Sequence, residues 1–280
     1  MANATAMSRV LDIVSESASK DRVVLISSAI SGATDLLIKA SKSENMLRSQ
    51  ALYELRLKHF QIIDRLFTGK ESEEAKSEIE SIHNSLIEAP LEDYETYGEM
   101  FSTKILARKL KAEGIATLWL NSVELVKCVD GKVDTLHTYR NIKAAVESHP
   151  DVKVFVAPGF IASDESGHVC TLGRGGSDYS AALYAAALNA DSLQIWTDVP
   201  GIMTTNPKEV KAARTIDKIS YEAAFCLALH GAKVLYAPTV EPAKKAKIDI
   251  QILNSLNPKQ KGTVIKEYAQ KSLGEWVGIA

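Results

Sequence analysis

Short β-branched apolar runs alternate along this chain with long helical patterns. RVVLISSA (22–29), GIATLWL (114–120), VKVFVA (152–157), SLQIWTDV (192–199) and KIDIQIL (247–253) have the length and branching of buried strands. FIASDESGHVCTL (160–172) reads as a hairpin turning at Asp164-Glu165-Ser166-Gly167. Between these runs lie helical patterns such as YGEMFSTKILARKLKAEG, with Gly114 as its stop, and YEAAFCLALHGAKVL. Strands that alternate with crossover helices predict an α/β fold whose mainly parallel sheet is covered on both faces. From Ser41 to about Ala89 the pattern is wholly helical, and its second half, GKESEEAKSEIESIHNSLIEA, is strongly charged. That stretch reads as a solvated helical insertion on the rim of the core.

Composition excludes several functions. The 280 residues are 46% hydrophobic with a formal net charge of −2, enough chain to bury an extended sheet. No basic run supports a nucleic-acid or anionic-membrane partner. No apolar stretch is long enough to span a bilayer and no leader is evident, so the expectation is a cytoplasmic protein. Cys128, Cys170 and Cys226 are odd in number and widely spaced, as suits reduced thiols rather than a zinc site. The six histidines have no ligand-like spacing.

The chemistry concentrates in TLGRGGSDYSAALYAAALNA (171–190), a strand, glycine loop and helix with Ser177 as the expected N-cap. A side-chain-poor loop before a helix lets an anion approach unpaired backbone N–H groups, although glycines also serve in simple tight turns. Arg174 within the loop can clamp a carboxylate or phosphate through two parallel hydrogen bonds. No Gly-Lys-Ser/Thr follows, so this is not a Walker A loop. A dinucleotide fingerprint fits in part, but Asp178 occupies the place of its third glycine and would repel a pyrophosphate. Asp178 suits an ammonium group better, so the loop reads as a zwitterion site: Arg174 for a carboxylate, Asp178 for an amine. In IWTDVPGIMTTNPK (195–208), Thr197 and Asp198 end a strand where open parallel sheets bind ligands, or else they form a simple Asx turn. In HGAKVLYAP, Lys233 is either a snorkelling surface lysine or a neutraliser of phosphate charge.

TLGRGGSDYSA, IWTDVPGI, GAKVL, VVLISSAISGATDLL and YGE occur here in the order and spacing of aspartate kinases, in the amino acid kinase superfamily, and the resemblance covers essentially the whole chain. It implies a three-layer α/β/α sandwich around an eight-stranded, mainly parallel sheet. It also implies transfer of the γ-phosphoryl group of MgATP to the β-carboxylate of L-aspartate, with ATP and Mg²⁺ required and a homodimer as the assembly. On the same resemblance Arg174 holds the substrate α-carboxylate, with Asp178 and Glu99 near its ammonium group. Ser28 and Thr34 lie beside the carboxylate that is phosphorylated. Thr197, Asp198, Met203, Lys208 and Lys233 contact ATP. Taken alone, Glu99 also reads as a surface residue of an amphipathic helix.

The chain departs from the family pattern in places. Met203, Asn206 and Lys208 stand where the family carries tyrosine, aspartate and arginine. Methionine can pack on adenine, and lysine keeps the charge but loses the planar fork. The family's opening strand and glycine loop, K-F-G-G-T-S-V, are not in this sequence, which starts at the helix that follows them. The expected organisation is a catalytic domain over 1–268 without that strand, with the helical insertion at about 41–89. Residues 269–280 are expected to be a linker and the start of an absent regulatory domain. Reduced stability and weak turnover are the expectation, since a lysine at the transferred phosphate is typically worth on the order of 3 kcal/mol or more. Two other readings stay open: a non-catalytic binding module of the same fold, and a related kinase acting on glutamate, acetylglutamate or UMP. A fusion to homoserine dehydrogenase is undecided by the sequence, and a dehydrogenase activity is a distant further reading.

Overall fold

The computed structural model describes residues 1–205, 210–230 and 235–267. They fall into two compact units that divide at Gly173–Arg174.

In the first unit the chain runs α1 (Ala4–Ala18), β1 (Val23–Ser27), α2 (Ala33–Lys42), α3 (Asn45–Leu66), α4 (Gly69–Glu88), a 3₁₀ turn (Leu91–Thr96) and α5 (Tyr97–Ala112). It continues through β2 (Thr117–Trp119), α6 (Ser122–Leu125), β3 (Cys128–Val129), β4 (Lys132–Val133), α7 (Thr135–Glu147), β5 (Val154–Pro158), β6 (Ile161–Ser163) and β7 (Val169–Thr171). Strand β5 lies between β1 and β2 and is parallel to both, with Val23 opposite Val154 and Thr117 opposite Val154. Its residues are all buried. Val154 and Val156 join the core built by α1 to α5, while Phe155 carries the Arg22 guanidinium 5.3 Å from its ring centre. Arg22 also donates to the carbonyls of Val146, His149 and Val152 at 3.2, 3.0 and 3.1 Å, tying the entry of β1 to the end of α7. β6 and β7 form the expected antiparallel hairpin, and Asp164 Oδ1 accepts the N–H groups of Ser166 and His168 in its turn.

The charged helical stretch is not a solvated insertion. Ala51, Leu52, Leu55, Ile62, Ile63 and Leu66 of α3 belong to the main core, as do Ala75, Ile79 and Leu86 of α4. The acidic face of α4 meets bases from neighbouring helices: Arg108 lies 3.3–3.5 Å from Glu71, Glu74 and Glu78, and Arg56 lies 2.9 Å from Glu80. The helices thus supply about a third of that core, and their charges are largely neutralised in place.

The second unit runs α8 (Gly176–Leu188), β8 (Leu193–Thr197), β9 (Lys218–Ser220), α9 (Tyr221–Leu229), a 3₁₀ turn (Ala237–Thr239), α10 (Val240–Ala246), β10 (Ile250–Asn254) and β11 (Thr263–Lys266). The strand order is β8-β10-β11-β9, parallel except for the antiparallel pair β10–β11. Ile195, Ile219, Ile250, Ile252 and Ile265 pack with Ala182, Tyr221, Val240 and Ala243 from the helices. The expected α/β class with mainly parallel strands and covering helices is present in each unit. No helix among the described residues is long and apolar enough to cross a membrane.

Candidate functional site

In the first unit the candidate residues gather where β1 ends. Its parallel partners end there too, at Pro158 and Trp119, and such strand C-termini are where open parallel sheets bind ligands. The loop Ser28–Gly32 leads from β1 into α2, and Thr34 lies in the first turn of that helix. Ser28 is exposed and Thr34 partly so. Helix α5 lies beneath the loop: a Cβ on Gly98 would sit 2.8 Å from the Ala29 methyl, so only glycine allows this approach. Ser102 Oγ donates to the Ser28 carbonyl at 2.9 Å, which turns the backbone while leaving the Ser28 hydroxyl without a partner among the described residues.

Glu99 is the unusual member. It is 5% exposed, so the alternative of a surface residue on an amphipathic helix is overturned. One carboxylate oxygen accepts the Ala29 N–H at 3.1 Å, and the other is buried with no hydrogen-bond partner among the described residues. Burial pushes its pKa up to about 7, partly offset by the Ala29 N–H. A buried carboxylate with a bare oxygen is suited to a cationic donor such as an ammonium group.

In the second unit the glycine loop opens α8. The N-cap is Gly175, in the left-handed region at φ 71°, and not Ser177, which lies inside the first turn. The correction has a steric cause. A Cβ on Gly175 would fall on the Tyr236 ring, which covers this loop, so no side-chain cap fits there. Gly175→Ala is expected to destabilise the protein by about 2–4 kcal/mol, from the left-handed backbone and the overlap together. Urea titration measures it, and Tyr236→Gly in the same chain, which removes the overlapping Cβ as well as the ring, should recover the part due to overlap. An equal loss in both backgrounds would refute the packing account.

Arg174 is exposed and makes no ion pair or hydrogen bond among the described residues. Asp178 is half-buried in the first turn of α8, and burial pushes its pKa up to about 6. β8 ends at Thr197, whose carbonyl accepts both the N–H and the hydroxyl of Ser255, at 2.8 and 2.9 Å. Asp198 follows, exposed, at the C-terminal end of a parallel strand. The loop after it is anchored by Thr263, whose hydroxyl accepts the Ile202 N–H at 2.9 Å and donates to Ile216 O at 2.7 Å. Met203 bridges to Thr215 and is partly exposed. Asn206, Lys208 and Lys233 lie outside the described residues, as do 268–280.

Ser28, Thr34 and Glu99 therefore share one loop–helix junction in the first unit, and Arg174 and Asp178 share the loop–helix junction that opens α8 in the second. Ser102 and Tyr236, which hold these loops in place, went unnoticed in the sequence. For Ser102 a signal existed, since small residues around Glu99 (Gly98, Ser102, Thr103) mark a close approach.

Comparison with known proteins gives a consistent result. The profile of the amino acid kinase family matches residues 1–254. Lysine-sensitive aspartokinase 3 of Escherichia coli is 34% identical over 278 residues, spanning 95% of this chain and 62% of its own length. The crystal structure of E. coli aspartokinase III in complex with aspartate and ADP superposes with a TM-score of 0.84 at 31% identity, covering 96% of this chain and 63% of that one. Aspartate kinase of Clostridium acetobutylicum gives a TM-score of 0.81 at 26% identity, covering 98% and 62%. The chain thus spans somewhat under two thirds of the length of these relatives.

Proposed function

The chain belongs to the amino acid kinase family, and on that footing we propose that it transfers the γ-phosphoryl group of MgATP to the side-chain carboxylate of L-aspartate, giving 4-phospho-L-aspartate. The observation that carries this reading is the buried Glu99 carboxylate, with one oxygen bare and no cation beside it among the described residues, at the loop that bears Ser28 and Thr34. An amino-acid ammonium group supplies the missing donor and charge. Support comes from the unpaired guanidinium of Arg174, and from the relative whose structure holds aspartate and ADP.

Residue by residue, Arg174 takes the α-carboxylate through two parallel hydrogen bonds, and Asp178 and Glu99 face the ammonium group. The Ser28 and Thr34 hydroxyls donate to the side-chain carboxylate that accepts the phosphoryl group. Thr197, Asp198 and Met203 contact the nucleotide, with Met203 against adenine, and Lys208 and Lys233 neutralise its phosphates. The acceptor is already ionised at neutral pH, so the reaction needs no general base; alignment and charge neutralisation do the work. Mg²⁺ enters as the nucleotide complex, held by phosphate oxygens and water. The product belongs to the route towards lysine, threonine and methionine, and we place the protein in the cytoplasm as a homodimer.

A substrate panel tests the assignment. ADP release with L-aspartate should exceed that with L-glutamate, N-acetylglutamate or UMP by at least about 10²-fold, because a site built for one set of polar groups leaves them unpaired with the others. Preference for another acceptor would reassign the substrate, and nucleotide binding without turnover on any acceptor would favour a binding module.

A further inference from the structure

The loop that carries Ser28 and leads to Thr34 is held from three sides, one of them the N-terminus, where the Ser31 N–H donates to Met1 O at 2.7 Å. Helix α5 holds its beginning: Ser102 Oγ donates to Ser28 O at 2.9 Å, and Glu99 Oε1 accepts the Ala29 N–H at 3.1 Å. Its far end is held by α3. Lys58 Nζ donates to the Ser31 carbonyl at 3.1 Å, and its terminal carbon and nitrogen lie 3.7 and 3.6 Å from where a Cβ on Gly32 would be. Gly32 is the N-cap of α2 and offers no side-chain cap, so the turn into Thr34 rests on backbone bonds, with the Ala33 N–H donating to Ile30 O at 3.0 Å, and on the contact from Lys58.

Lys58 has other possible partners. It lines an open groove of about 500 Å³ together with the acidic residues Asp35 and Glu54. Yet it forms no salt bridge among the described residues, and the bond to Ser31 is the hydrogen bond it makes. A flexible ammonium group that could turn to either carboxylate is instead committed to a backbone carbonyl of the loop. An ammonium–carbonyl bond is charge-assisted and stronger than a neutral one. It also places positive charge beside the N-terminal end of α2, where the helix dipole adds to it.

We propose that Lys58 is a positioning residue: by fixing Ser31 and Gly32 it aims the Thr34 hydroxyl and the Ser28 segment at the carboxylate that accepts the phosphoryl group. This inference rests on the aspartate kinase reading above. It gives the α3–α4 hairpin a part in function, since the α3 residue that reaches the loop projects from a helix otherwise spent on the core. A misaimed acceptor lowers the rate of the chemical step more than it weakens binding, because small displacements of reacting groups cost rate steeply.

The test compares Lys58→Met, Lys58→Gln and Lys58→Arg with the parent in the full chain. In Lys58→Met and Lys58→Gln, kcat should fall about tenfold while KM for aspartate and for ATP stays within about threefold. Lys58→Arg, which can still donate to Ser31 O, should return to within about threefold of the parent. Amide exchange of residues 28–34 should be at least about fivefold faster in the Met and Gln variants and normal in the Arg variant, with exchange of α3 itself unchanged. A kcat within twofold of the parent in Lys58→Met, or unaltered exchange of 28–34, overturns the proposal. A parent inactive on aspartate overturns the functional reading instead, and the exchange data then decide by themselves whether Lys58 holds the loop.

Discussion

Arg174→Met is expected to lower kcat/KM for L-aspartate by about 10³–10⁴-fold, with KM for ATP within threefold and no change in melting temperature. The size follows from the role: losing a desolvated, bidentate carboxylate partner typically costs on the order of 4–5 kcal/mol, much of it from the substrate charge left unpaired. The unchanged stability follows from the structure, where Arg174 is exposed and makes no hydrogen bond or ion pair among the described residues. Arg174→Lys should recover less than about tenfold, since a point charge does not reproduce the planar fork. A full rescue by lysine would show that Arg174 acts only as a local positive charge.

Glu99→Gln is expected to abolish most activity and yet raise stability at alkaline pH. Burial lifts the Glu99 pKa from 4.5 to about 7, so the folded protein holds a proton that the unfolded chain has released. Stability from this group is therefore present below the unfolded pKa and lost as pH rises through the window from 4.5 to about 7. The loss is on the order of 3 kcal/mol by pH 8. Glutamine cannot ionise, so the stability gap between the variant and the parent should widen by about that amount between pH 4 and pH 8. Thermal melts across this range measure it, and a constant gap would mean that Glu99 is not buried as a charge. The same variant should lose about 10²-fold or more in kcat/KM for aspartate, because it cannot pair with an ammonium group. In the parent, kcat/KM for aspartate should fall as pH drops through about 7 and again through about 6, as Glu99 and then Asp178 take up protons. The first of these falls should disappear in Glu99→Gln.

A buried carboxylate that destabilises its own fold at working pH is an expected property of a binding site. The sequence did not make it visible. Glu99 sits in an ordinary amphipathic helix, and its burial depends on Gly98 letting Ala29 approach, a contact across some seventy residues of chain. Arg174 and Asp178 were legible because both fall within one short loop and the helical turn that follows it, where local chemistry suffices. The strands were legible for a similar reason: Val154 to Ala157 are apolar on both faces, and only a covered parallel strand accommodates that. The α4 reading failed because its glutamates were weighed without Arg56, Lys104 and Arg108, the bases that meet them in space. The buried stripe Ala75, Ile79, His83 and Leu86 was present at helical spacing and pointed the other way. Ser177 has the right residue type for an N-cap, but Tyr236 lies over the loop, and the cap falls on Gly175. Lys58 carries no sequence signal, since a lysine on a charged helix reads as solvated until its acceptor, Ser31 O, is located.

The central claim is that this protein makes an acyl phosphate on the side chain of aspartate. Trapping that product with hydroxylamine tests it most directly. With MgATP and L-aspartate, β-aspartyl hydroxamate should accumulate in step with ADP, and neither should form when L-aspartate is withheld or replaced by L-glutamate. ADP released without hydroxamate, or hydroxamate formed equally well from glutamate, would contradict the account.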